Sequence, residues 1–108
     1  MVHDFEELTL FYVPIGTKED ALRVSKILVE ESLAACVNIL QATSVYRWEE
    51  KINEEPEFIM VIKTKSMLEP EVASRLKEIH PYQTPCIIRI RPDGVNREYM
   101  DWVLSQVR

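Results

Sequence analysis

Glycine is scarce in this chain: Gly16 and Gly94 are the only two in 108 residues. A loop that cradles phosphate with successive backbone N–H groups needs several glycines close together, so no P-loop and no dinucleotide fingerprint can be written. Histidine and cysteine are as sparse, with two of each: His3, His80, Cys36 and Cys86. A closed structural zinc site takes about four such ligands. One histidine lies in the N-terminal tail, so a dedicated cage within one chain and a Ser-His-Asp arrangement both lack parts. No paired-carboxylate signature for hydrolysis replaces them, and nothing in the sequence requires an enzyme. Two cysteines make no disulfide framework, and in a reducing cytosol both read as free thiols. Basic residues are outnumbered, 13 against 18 acidic, for a net charge of −5, which speaks against a nucleic-acid partner. No apolar run approaches the roughly 20 residues that span a bilayer. The opening Met1–Glu7 is acidic and lacks the pattern of a secretory signal. A cytoplasmic protein is expected, with neither membrane nor nucleic acid as partner.

The chain does have apolar residues at 46% and charged ones at 29%, the balance of a folded domain. Its length suits one core, so a single domain over residues 1–108 is expected. Glu7–Val13 reads as a strand apolar in both alternating sets, Leu8-Leu10-Tyr12 and Thr9-Phe11-Val13, and is expected to be covered on both faces. Pro14 and Gly16 end it. Thr17 then offers an N-cap with Asp20 three residues on, ahead of a helix with Ala21, Val24, Ile27 and Leu28 on one stripe.

A long second strand opens at Leu33-Ala34-Ala35-Cys36 and runs to Trp48. Glu49-Glu50-Lys51 turns it back into a third strand, clearest over Glu57–Thr64. Pro56 fits only where a ladder N–H is not needed. The second helix starts either from Ser66 paired with Glu69 or from Pro70 capped by Glu69, and buries Val72, Leu76 and Ile79. His80-Pro81 ends it. Cys86–Ile90 reads as the fourth strand. Cys86, Ile88 and Ile90 point to the apolar side, while Ile87, Arg89 and Arg91 point to the other. Asn96 is placed to cap a last helix with Tyr99, Trp102, Val103 and Gln106 on one stripe. The order is βαββαβ plus a helix. An α+β, ferredoxin-like antiparallel sheet is expected, with two helices on one face, a long hairpin between the second and third strands, and an extra C-terminal helix. In that topology the strands lie 4-1-3-2, so Cys36 and Cys86 fall at opposite edges, beyond the roughly 7 Å reach of a disulfide.

Five segments then become diagnostic. "LVEESLAACVNI", "SVYRWEEKI", "FIMVIKT", "HPYQTP" and "REYMDWV" resemble, in order and spacing, the CutA family of divalent-cation tolerance proteins. The resemblance covers nearly the whole chain. It implies a ferredoxin-like subunit, a homotrimer, an association with copper or another divalent metal ion, no organic cofactor, and a structural likeness to the trimeric PII signalling proteins. Cys36, Tyr46, Trp48, Lys63, His80 and Tyr82 stand where the family's pattern expects them. Gln83 and Cys86 replace acidic residues usual after the His-Pro-Tyr segment, and Glu50 replaces a glycine in the hairpin.

Each candidate has two readings. His80 is either a metal ligand or the imidazole that satisfies loose carbonyls at a helix end. Cys36 is either a small apolar residue or, with His80, half of a soft N/S site suited to Cu(I) or zinc. Tyr82, between two prolines, anchors a corner or faces a ligand. Lys63 binds an anion or is a solvated strand end. Glu49, Glu50, Glu54, Glu55 and Glu57 either gather divalent ions weakly or form a solvated hairpin tip. His3 could chelate Cu(II) through a free amino terminus and two amides, or be incidental. Tyr46, Trp48, Lys63 and Tyr82 are expected in a ligand cleft between subunits.

The hairpin itself predicts an oligomer. An arm of about 14 residues reaches about 45 Å at 3.3 Å per residue, against a radius of gyration of roughly 13 Å for a compact domain of this size. Val45, Tyr46, Trp48 and Ile52 ride on that arm, and identical neighbours cover such an edge economically. The competing functional reading is a PII-like signalling or scaffold trimer that binds a small anion or a protein in those clefts.

Overall fold

The computed structural model describes residues 7–108. The elements run β1 (Leu8–Ile15), α1 (Lys18–Glu30), β2 (Cys36–Trp48), β3 (Lys51–Lys65), α2 (Glu69–Ile79), β4 (Ile88–Ile90) and α3 (Arg97–Gln106), with one 3₁₀ turn over Ser66–Leu68. The sheet order is β2-β3-β1-β4, antiparallel throughout. This is the expected ferredoxin-like topology.

One parity of β1 builds the core. Thr9, Phe11, Val13 and Ile15 are buried and register against Thr64, Ile62, Met60 and Phe58 of β3. Ala21, Val24 and Leu28 of α1 and Val72 and Leu76 of α2 close over that face. Thr17 caps α1 as expected, its Oγ1 accepting the Asp20 N–H at 3.0 Å. The helix α2 begins at Glu69 with Pro70 in its first turn, and its cap residue is Leu68, which makes no side-chain cap bond. Asn96 occupies the cap position of α3, again without a side-chain bond.

The other parity is not covered throughout, contrary to expectation. Leu8 meets α3, whose Met100 and Val103 are buried with Ala35. Farther along, Tyr12, Leu40, Ile88 and Ile90 stay exposed, because α3 spans only one end of the sheet. On α3 the buried ridge is Met100 and Val103, whereas Trp102 points outward.

Two further expectations fail in the last strand. Cys86 lies outside β4 and is exposed rather than buried. Ile88 and Ile90 face the open side, and the core side belongs to Ile87, Arg89 and Arg91. The cause is a buried carboxylate. Glu69, 7% exposed in its side chain, accepts from Arg91 Nε at 3.1 Å and Nη2 at 2.7 Å, while Arg89 Nη1 lies 3.5 Å away. The buried Thr9 hydroxyl donates to it at 2.6 Å. A carboxylate taken out of water needs such partners, so the arginine parity turns inward and the isoleucines turn out.

Pairing of β2 with β3 runs from Cys36↔Lys63 to Trp48↔Lys51, whereas β1 accompanies β3 only from Lys65 to Phe58. Beyond Phe58 the hairpin is a two-stranded arm. It stretches the molecule to 52 × 27 × 21 Å with a radius of gyration of 15.0 Å. Pro56 sits in the arm, past the end of β1, where its missing N–H costs no ladder bond. The turn uses two residues, Glu49 at φ 49° and Glu50 at φ 67°. Positive φ at both central positions is the mark of a type I′ hairpin turn, which matches strand twist and favours Asn-Gly.

Candidate functional site

The arm's register brings one set of polar side chains to the open face. Ser44 pairs with Glu55 and Ala42 with Glu57, so Ser44 and Glu57 are diagonal neighbours, as are Tyr46 and Glu55. The Ser44 hydroxyl donates to Glu57 and the Tyr46 hydroxyl to Glu55. These residues, with Pro56, Gly16 and Tyr82, line a cleft of about 590 Å³. It is acidic and rich in hydroxyls. The hydrogen bond that its hydroxyl donates to Glu55 pushes the Tyr46 phenol above its ordinary range. Burial, then the charges of Glu57, Glu55 and Asp20, do the same to Tyr82. Both phenols are therefore protonated, neutral oxygens near neutral pH.

Tyr82 reaches the cleft from the corner after α2. His80 ends that helix and is 6% exposed. Its Nδ1 accepts the Tyr82 backbone N–H at 3.1 Å, and its Nε2 lies 2.9 Å from the Pro14 carbonyl. A nitrogen that accepts carries no proton, so Nε2 bears the hydrogen and donates to Pro14. The ring also stands edge-on to Tyr82, centroids 4.7 Å apart. Pro14 is suited to its part: β4 pairs with β1 only from Leu10 to Tyr12. Pro14 lies past the end of β4, where its missing N–H leaves no ladder partner stranded and its carbonyl is free for His80.

Of the residues expected in a ligand cleft, Tyr46 and Tyr82 meet there. Trp48 sits at the tip of the arm opposite Lys51. Lys63 lies toward the other end, its Nζ 5.4 Å from the Tyr99 ring centre, a cation–π contact in place of an open anion site. Cys36 registers against Lys63, and Lys63 against Leu10, four residues along β1 from Pro14. At about 3.3 Å per residue along a strand and about 4.8 Å between strands, Cys36 and the His80 contact at Pro14 are about 16 Å apart. One chain does not join them. Among the described residues no three His, Cys, Asp or Glu side chains gather as a metal would need, and His3 lies outside the described residues. Sequence reading missed Ser44, Gly16, Glu57 and Glu55 as companions of the two tyrosines. The available signal was the even spacing of Ser44 and Tyr46 opposite alternating glutamates, which locates a site only once the register is known.

Comparison with known proteins places this architecture. The profile of the CutA1 divalent ion tolerance protein family matches residues 9–106. The chain belongs to the CutA family. The divalent-cation tolerance protein CutA of Thermus thermophilus is 42% identical over 99 residues, spanning 91% of this chain and 94% of that one. The crystal structure of the divalent ion tolerance protein CutA1 from Ehrlichia chaffeensis superposes with a TM-score of 0.90 at 40% identity, covering 93% and 94% of the two chains. The CutA structure from Archaeoglobus fulgidus, described as a periplasmic protein, aligns with a TM-score of 0.87 at 39% identity over 94% and 99%. Among the described residues of this CutA chain, no helix is long and apolar enough to cross a membrane.

Proposed function

We propose that this CutA protein is a non-enzymatic, cytoplasmic homotrimer that binds divalent cations in clefts between subunits. The observation that carries the reading is the acidic, hydroxyl-lined cleft of Ser44, Tyr46, Glu55, Glu57 and Tyr82, set on a sheet face that its own chain leaves uncovered. Family membership supplies the class of ligand. Two carboxylates fall short of the six or more oxygens a hard cation takes, so water or a neighbouring chain completes the set. Copper, which favours nitrogen and sulfur, would instead draw on Cys36 and His80. Those two belong together only across subunits, and only if His80 gives up one of its two backbone partners. The glutamates oppose the PII-like alternative of an anionic ligand in this cleft.

Light scattering on the native protein is expected to give three times the 12.7 kDa of one chain. Calorimetric titration with Mn²⁺, Zn²⁺ and Cu²⁺ is expected to yield binding that a Glu55→Gln/Glu57→Gln variant loses for Mn²⁺. A monodisperse monomer at micromolar concentration, or Mn²⁺ binding unchanged in that variant, overturns the reading.

A further inference from the structure

His80 is buried, ring-bonded on both nitrogens and in contact with the cleft only through Tyr82, which makes it a different kind of residue from a ligand. We propose that His80 is a positioning residue: its neutral ring, fixed by the Pro14 carbonyl, holds the Tyr82 backbone and phenol so that the Tyr82 hydroxyl projects across Gly16 into the cleft and serves there as a neutral oxygen toward the bound cation. The role in cation binding rests on the cleft reading above; the positioning does not.

Three independent contacts carry it. The Nδ1 lone pair can accept the Tyr82 N–H only while Nε2 holds the proton, and the Pro14 carbonyl selects that tautomer at 2.9 Å. The edge-on ring contact at 4.7 Å then sets the direction of the phenol. At its far end the phenol passes so close to Gly16 that a Cβ there would lie 3.0 Å from Oη. Gly16 does not take a positive φ, so close approach, not backbone conformation, is what the missing side chain serves. The phenol is thus gripped at its backbone by His80 and given passage at its tip by Gly16. The charged groups around this corner are Asp20 and Arg23 of α1, the latter bonded to the Ile79 carbonyl at 3.1 Å, and Glu55 and Glu57 of β3.

The test separates the two ring nitrogens. An asparagine side chain reproduces the Nδ1 acceptor, and a glutamine side chain reproduces the Nε2 donor. Protein carrying 3-fluorotyrosine gives four ¹⁹F resonances, assigned with single Tyr→Phe variants. His80→Asn keeps the acceptor for the Tyr82 N–H but loses the ring contact, so it is expected to displace the Tyr82 resonance less than His80→Gln does. His80→Gln is expected to move it toward that of a solvent-exposed tyrosine, although both variants fold by circular dichroism. Gly16→Ala is expected to shift the same resonance and leave that of Tyr99 in place. A Tyr82 resonance unmoved in His80→Gln and in His80→Ala overturns the positioning role, as does an equal displacement in Asn and Gln variants. Mn²⁺ supplies the second arm. In the native protein it is expected to broaden the Tyr46 and Tyr82 resonances together, and in His80→Gln to broaden Tyr46 alone. If Mn²⁺ broadens neither in the native protein while the metal-free shifts follow the pattern above, the positioning stands and the cation role of Tyr82 is refuted.

Discussion

The two faces of one sheet are built from alternate residues of the same strands and end in opposite conditions. Thr9, Phe11, Val13 and Ile15 of β1 are sealed under α1 and α2 with Met60 and Ile62. Their neighbours Leu10 and Tyr12 look out with Leu40, Ile88 and Ile90 over a face that α3 covers at one end only. Both faces are apolar, so hydrophobicity alone does not separate them. What separates them is which elements the chain has left to lay over each: two helices on one side, one short helix on the other. An apolar face of this extent, continuous with an arm carrying Val45, Trp48 and Ile52, is the kind of surface that a second chain covers.

The comparison breaks most visibly at its ends. Phe11→Ala empties a fully enclosed site and is expected to cost about 3–5 kcal/mol at every protein concentration, read by urea titration. Tyr12→Ala, one residue away, is expected to reduce stability mainly through the proposed assembly, so its effect should shrink under conditions that would dissociate the proposed trimer. Equal, concentration-independent losses would erase the distinction between the faces.

Glu69 sharpens it next, because it decides which parity of β4 turns inward. Glu69→Gln keeps the shape and removes the charge that Arg91, Thr9 and Arg89 converge on, for an expected loss of about 1–3 kcal/mol. The hydrogen bonds from Arg91 foremost, joined by that from Thr9 and the nearby arginine charges, hold the Glu69 carboxyl below the ordinary carboxylate range against the opposing effect of burial. A depressed folded value means that the stabilisation is present above the ordinary carboxylate range and disappears as pH falls through the lowered one. Melting temperature against pH should therefore fall less steeply on the acid side in Glu69→Gln than in the native protein, and parallel curves would remove Glu69 from that account.

A smaller effect is expected at the tip of the arm. Glu50 holds φ 67°, a conformation that costs a residue with a Cβ about 1–2 kcal/mol. Glu50→Gly should be stabilising by about 1 kcal/mol at most, since glycine also loses more freedom on folding; a clear loss by thermal melt would mean that the turn has another shape. Smallest of all, Cys86 should react rapidly with a thiol reagent in the native protein and Cys36 more slowly, and Cys86→Ser should change stability by less than about 0.5 kcal/mol. Protection of Cys86 from the reagent would contradict its exposed position ahead of β4.

Much of this protein was legible before any coordinates. Period-2 and period-3.6 patterns, with Thr17 and the proline at 81 as boundaries, determined the order of elements, and that order with an antiparallel sheet leaves few topologies. The length of the hairpin announced an arm, and five short segments announced the family. The sequence also contained both tyrosines of the cleft. It did not contain the cleft, because Gly16, Ser44, the pair Glu55 and Glu57, and Tyr82 come from four separate stretches that only the β2–β3 register, the end of β1 and the corner after α2 bring together. Nor did it decide which side of a doubly apolar strand is the core. Alternation specifies that two faces differ, but the choice between them is made by packing: by where two helices land, and by a buried Glu69 that draws Arg89 and Arg91 inward and sends Ile88 and Ile90 out. His80 makes the same point at a single residue. Its place at a helix end follows from the proline after it, whereas its role follows from two backbone partners, Pro14 and Tyr82, one of them 66 residues away.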